Sequence, residues 1–153
     1  MTLIGDSVAL GSAGAISGRL DGILIDARVS RQMKDLPDLA ASLKGKGQLR
    51  DYVVVALATN STLSTGVVER AVSALGDRHV VLVNGYGDRS WIGPGNKVLA
   101  AVAKKHGNVV VADWRSVAAE NRHLLGPDGI HPQLSGTDAY ARVIERGLAA
   151  AAG

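Results

Sequence analysis

Cysteine and phenylalanine are both absent from the 153 residues, and the only aromatics are two Trp and three Tyr. Without thiols there is no disulfide framework, no thiolate metal site and no cysteine nucleophile. So few rings argue against single-strand nucleic-acid modules, which stack bases on exposed aromatics. No stretch approaches the roughly eighteen apolar residues that a membrane helix needs, and no signal-peptide pattern opens the chain. Met1 runs straight into Thr2-Leu3-Ile4-Gly5, which reads as a first core strand. Such a start suits either a cytosolic chain or a domain excised from a longer one. Blocks of one charge are missing too: the net charge of +3 is spread along the chain. Lys44, Lys46 and Arg50 fall in a Gly-rich stretch, and Lys104 and Lys105 fall near an expected helix end. These read as solvated surface and helix-end charge, so no nucleic-acid partner is expected.

What is present is aliphatic. Hydrophobic residues make up 46% of the chain, enough for one substantial core and one domain spanning 1–153. Strands are expected at 3–4, 22–26, 52–57, 79–83 and 108–113. The last three are continuous aliphatic runs, as central parallel strands covered on both faces should be. Helices are expected around 8–18, 30–44, 65–75, 95–106, 115–124 and 135–151, with Pro37 breaking or kinking the second. Alternation of this kind predicts an α/β fold: a three-layer α/β/α sandwich on a five-stranded parallel sheet in flavodoxin-like order. Ligands then bind beyond the carboxyl ends of the strands.

Those strand ends carry Asp6-Ser7, then Asp26 with Arg28, Ser30, Arg31 and Gln32, then Thr59-Asn60-Ser61. Asn84, Asp113 and the loop Pro127-Asp128-Gly129-Ile130-His131-Pro132 follow. Alone, Ser7 reads as a helix N-cap, and Asp128 and His131 as an ordinary turn. Together they supply a hydroxyl, a base and a carboxylate to orient that base. A helix N-terminus at Ser7 also aims amides at a developing oxyanion. His79, His106 and His123 compete poorly as the base, because they sit at a strand's amino end, a helix end and a helix side. Asp128 and His131 lack a third ligand at compatible spacing, so no metal is expected, and no cofactor.

Gly5-Asp6-Ser7, Asn60 and Asp128-x-x-His131, in this order, resemble the SGNH (GDSL-type) hydrolase superfamily. Asp26-Ala27 before Ser30-Arg31-Gln32, Trp91 with Asn96, and Asp113-Trp114 extend the resemblance over nearly the whole chain. It most resembles the extracytoplasmic SGNH domains attached to membrane acyltransferase-3 proteins, which include peptidoglycan O-acetyltransferases. The resemblance implies Ser7 as nucleophile, His131 as base then acid, and Asp128 as its orienter. It implies an oxyanion hole from the Ser7 amide, the Asn60 side chain and the backbone amide at Ser30. Ser30 and Ser61 stand where the family usually has Gly, and a Cβ is poorly tolerated at 30 if the turn needs positive φ.

The implied partners are an acyl-ester donor and a glycan hydroxyl acceptor, or water. An N-terminal membrane acyltransferase domain and an extracytoplasmic, membrane-tethered location follow from the same resemblance. Three other readings stay open. One is a small carbohydrate or acetyl esterase; another is a catalytically weak SGNH-like binding domain. The third is a nucleotide-binding domain using Gly5, Gly11, Gly14 and Asp26, although the glycine spacing is not G-x-G-x-x-G.

Overall fold

A computed structural model describes all residues, 1–153. Strands β1 (Thr2–Gly5), β2 (Leu24–Ala27), β3 (Tyr52–Ala56), β4 (His79–Val83) and β5 (Val109–Ala112) form one parallel sheet in the order β2-β1-β3-β4-β5. This is the expected flavodoxin-like arrangement. Beyond their first residues, Tyr52 and His79, the central strands β3 and β4 are apolar at every position because both sheet faces are covered and side chains alternate between them. Val53, Val55, Val80 and Leu82 point into one core, and Val54, Ala56, Val81 and Val83 into the other.

Helices α3 (Leu36–Gly45), α4 (Thr65–Leu75) and α5 (Ile92–Ala103) cover the first core. The second is covered by α1 (Ser7–Gly11), α2 (Ala13–Arg19), α6 (Trp114–Glu120) and α7 (Leu134–Ala152). Right-handed crossovers put helices on opposite faces when the chain winds outward in opposite directions from β1. The direction reverses between β1 and its neighbour β3, which opens a crevice beyond their carboxyl ends.

Four expected helices are corrected, among them 115–124, which ends at Glu120 and gives way to a 3-10 turn at Arg122–Leu124. The segment 8–18 is split at Ser12, whose hydroxyl donates back to the Val8 carbonyl (2.9 Å) while its amide turns to Ala9. The segment 30–44 begins late: Ser30–Gln32 form a loop, Met33–Asp35 a 3-10 turn, and α3 starts at Leu36 with Pro37 in its first turn. Pro37 therefore starts this helix instead of breaking it, because first-turn amides have no partner inside the helix to lose. Lastly, α5 opens three residues early and ends at Ala103, leaving His106 in the following turn, bonded to Glu69 of α4 (2.7 Å). The fully buried Trp114 meets Tyr140 edge-on at 5.1 Å, closing α6 against α7.

Candidate active site

Ser7 is the first residue of α1, and the N-cap is Asp6, whose carboxylate accepts from the Val8 amide at 2.9 Å. This corrects the reading of Ser7 as a cap and frees its hydroxyl. Asp6 is 1% exposed, its Oδ2 has no hydrogen-bond partner, and it lines a small cavity together with Tyr140 and Asn84. Burial raises the Asp6 carboxyl above its ordinary range, against the opposing pull of the Val8 amide. Nothing in the motif alone signalled this depth. The available signal was that Asp directly before a helix start is a favoured cap.

The segment after α6 brings the other two residues to Ser7. Gly126 donates to the His131 carbonyl (2.8 Å), and Leu125 pairs with Pro132. Gly129 turns the chain at φ 67°, a left-handed value suited to glycine. Asp128 Oδ1 then accepts from the amides of Ile130 (2.9 Å) and His131 (3.0 Å). Its Oδ2 lies 2.6 Å from His131 Nδ1, and His131 Nε2 lies 2.8 Å from Ser7 Oγ.

The proton positions follow from the chemistry of the partners. The His131 ring and the two amides hold the Asp128 carboxyl down to about 2, so near neutrality it only accepts. Nδ1 must then carry the hydrogen, which leaves Nε2 bare in the neutral ring and makes Ser7 the donor. Such a chain lets a hydroxyl lose its proton to an imidazole whose positive charge a carboxylate stabilises.

The lowered Asp128 carboxyl also contributes to stability. This contribution is present above its ordinary value of 3.8 and lost as the pH falls through about 2. The unfolding temperature of the natural chain should exceed that of Asp128→Asn near neutrality, and the gap should narrow between about pH 4 and pH 2. A gap that stays constant over that range would contradict the hydrogen-bonded carboxylate.

Parallel pairing brings the other expected residues to the same crevice. β2 and β3 flank β1 with Gly5 in register with Ala27 and Ala56, so the loops holding Ser7, Ser30 and Asn60 leave side by side. Ser30 lies in the left-handed region at φ 61°. It is the only non-glycine residue there; Ser61, which also stands where the resembled family usually has glycine, is not in that region. Asn60 Nδ2 donates to the Arg31 carbonyl at 3.2 Å. Trp91 Nε1 donates to the Thr59 carbonyl (2.9 Å), and Asn96 bonds both the amide and the carbonyl of Gly85. Both are buttresses of the loops after β3 and β4.

Asp26, considered as a ribose ligand, is instead engaged by Arg31. His79 stacks on Tyr52 at the amino ends of the strands, and His123 lies in the 3-10 turn Arg122–Leu124. An open groove of about 520 Å³ borders Asp128, lined in part by Tyr86, Asp88 and Arg122. The site is shallow: the side chains of His131 and Asp128 are about half exposed.

No protein-family model matches the chain. It is 29% identical over 148 residues to O-acetyltransferase OatA of Staphylococcus aureus, a match that covers 93% of this chain and 24% of that protein. The chain thus spans about a quarter of the length of the curated relatives it matches. Among solved structures, it is similar to the C-terminal catalytic domain of Streptococcus pneumoniae peptidoglycan O-acetyltransferase A, determined with a methylsulfonyl adduct. That likeness has a TM-score of 0.88 and 29% identity, covering 98% of this chain and 92% of the other. A carbohydrate esterase family 3 structure from Talaromyces cellulolyticus shares the fold at a TM-score of 0.75 and 17% identity, covering 97% and 95%.

Proposed function

We propose that this chain, an SGNH (GDSL-type) hydrolase domain similar to the catalytic domain of a peptidoglycan O-acetyltransferase, moves acetyl groups through a serine ester. The observation that carries this reading is the continuous Ser7–His131–Asp128 chain of hydrogen bonds at 2.8 and 2.6 Å. His131 Nε2 takes the Ser7 proton as Oγ bonds to the ester carbonyl carbon. The oxyanion is met by the Ser7 amide, the Ser30 amide and the Asn60 side chain. Collapse breaks the bond to the donor alkoxide, which leaves with the proton held on His131, and acetyl remains on Ser7. A glycan hydroxyl then gives its proton to His131, attacks the acyl carbon and releases Ser7.

The acceptor is a cell-wall or surface glycan hydroxyl, and the groove beside Asp128 lies where that sugar would approach. The half-exposed imidazole also admits water, so hydrolysis takes the place of transfer when no acceptor is present. In this reading the 153 residues are one domain of a longer, membrane-anchored protein, on the extracytoplasmic side after an N-terminal membrane acyltransferase domain. Its span of about a quarter of its relatives supports that reading. No helix here is long and apolar enough to cross a membrane.

The test supplies a chromogenic acetyl ester with and without a soluble peptidoglycan fragment and measures acetylated glycan against free acetate. Acetylated glycan should form at the expense of acetate as acceptor rises. Release of acetate alone, unchanged by acceptor, would leave an esterase; no turnover at all would overturn the acyl-ester reading.

A further inference from the structure

Ser30 occupies a conformation that serine avoids, and the loop around it shows what holds it there. The Arg31 amide bonds the Arg28 carbonyl (3.4 Å), closing a four-residue turn with Ser30 third. Positive φ at the third position alone is the mark of a type II turn, which favours glycine there. For any other residue the type I turn is preferred, and the two differ by a half-rotation of the central peptide. Here that peptide joins Val29 to Ser30, and its N–H is the proposed oxyanion donor. A relaxed turn would point the donor elsewhere.

Immediately after the turn, Arg31 folds back. Its guanidinium donates to the Asp26 carbonyl and, at 2.8 Å, to the Asp26 carboxylate. The Arg31 side chain is only 9% exposed. Asp26 is fixed within β2, in register with Ile4 of β1. The ion pair therefore ties the end of the turn to the strand that leads into it. The Arg31 carbonyl, held by the same residue, accepts from Asn60 Nδ2 (3.2 Å). One arginine thus links the loops that carry two of the three oxyanion donors.

We infer that the Arg31–Asp26 pair is a clamp that keeps the Ser30 turn and the Asn60 amide in their oxyanion-binding shape, doing by attachment what glycine does by permissiveness. Arg31 is then a positioning residue, because both terminal nitrogens of its guanidinium are turned onto Asp26. This rests on the acyl-ester reading above.

The test uses Arg31→Ala, Asp26→Asn and the double variant Arg31→Ala/Ser30→Gly, each first checked for a cooperative unfolding transition. Both single variants should lower kcat for an acetyl ester by about ten- to a hundredfold, with KM changed less than about twofold. Glycine at 30 removes the penalty on positive φ and should recover roughly five- to tenfold of the Arg31→Ala loss. By NMR, the Ser30 amide and Asn60 side-chain amide signals should shift in Arg31→Ala and return toward their original positions in the double variant.

Unchanged kcat in Arg31→Ala, a loss expressed in KM, or a loss that Ser30→Gly fails to recover would each overturn the clamp. The NMR signals report the clamp independently of turnover. If the unaltered chain shows no Ser7-dependent turnover while these signals move and return as expected, the acyl-ester reading fails and the clamp remains as loop architecture.

Discussion

Replacing Ser7 by Ala lowers kcat for an acetyl ester by at least about ten-thousand-fold and leaves the fold intact. The size of the loss reflects what the hydroxyl is proposed to do. It is the atom that takes the acyl group, and no neighbouring nucleophile of comparable reactivity is available in a cysteine-free chain. The Ser7 side chain hydrogen-bonds His131 and no other residue, so its removal should change stability by no more than about half a kcal/mol. His131→Ala should be nearly as inactive, because a neutral serine hydroxyl is a weak nucleophile without its base. Groups that act as a unit are non-additive, so Ser7→Ala/His131→Ala should be no slower than Ser7→Ala alone. Full activity in either single variant would remove that residue from the mechanism, and multiplicative losses would mean that the two act separately.

Gly136→Ala should be the most damaging single methyl added to the molecule. Gly136 lies in the first turn of α7, and a Cβ there would stand 2.0 Å from the Leu124 carbonyl oxygen and 2.9 Å from its carbon. Both are backbone atoms, so no side-chain rotation relieves the contact. The same carbonyl accepts the Gln133 amide at 2.9 Å, which joins the 3-10 turn to the start of α7. Separating the two elements by the needed distance breaks that join and moves the loop that carries Asp128 and His131. Overpacking against backbone should cost about 3 kcal/mol, at the upper end of typical values, and lower Tm by about 10 °C. Acetyl-ester turnover should fall with it. Gly18→Ala is the control: it lies within α2 with no atom in reach of the new Cβ, so helix propensity predicts a neutral or slightly stabilising change. Equal thermal stability of the Gly136→Ala and Gly18→Ala chains would contradict the close approach.

The fold was largely legible because aliphatic runs such as 52–57 and 79–83 leave little choice but doubly covered parallel strands. Handedness then limits how they connect. Boundaries were misread where a local bond competes with the helix. Ser12 bonds back onto Val8, and Asp35 accepts from the Gln32 amide to start a 3-10 turn, and neither choice has a hydrophobic period. The site was legible in a different way. Ser7 and His131 are 124 residues apart, and no spacing rule joins them; their shared place beyond the strand ends grouped them, and the family resemblance assigned their roles. What it did not disclose was the support. A buried Asp6 beside the nucleophile depends on how the surrounding elements close over it. An Arg31 turned inward onto Asp26 depends on a turn conformation that residue type argues against. In the sequence Arg31 is one polar residue among several beyond β2, and only the three-dimensional arrangement shows two of its donors engaged by Asp26.

The serine ester itself is the most direct thing to measure. Rapid mixing of the chain with an acetyl ester, acid quenching and peptide mass analysis should find one added acetyl group, on the peptide containing Ser7. It should appear before steady-state product and decay when acceptor or water is allowed to act. In His131→Ala it should be strongly reduced, and in Ser7→Ala absent. An unaltered chain that turns over ester with no acetyl on Ser7, or the same label in Ser7→Ala, would contradict transfer through this serine.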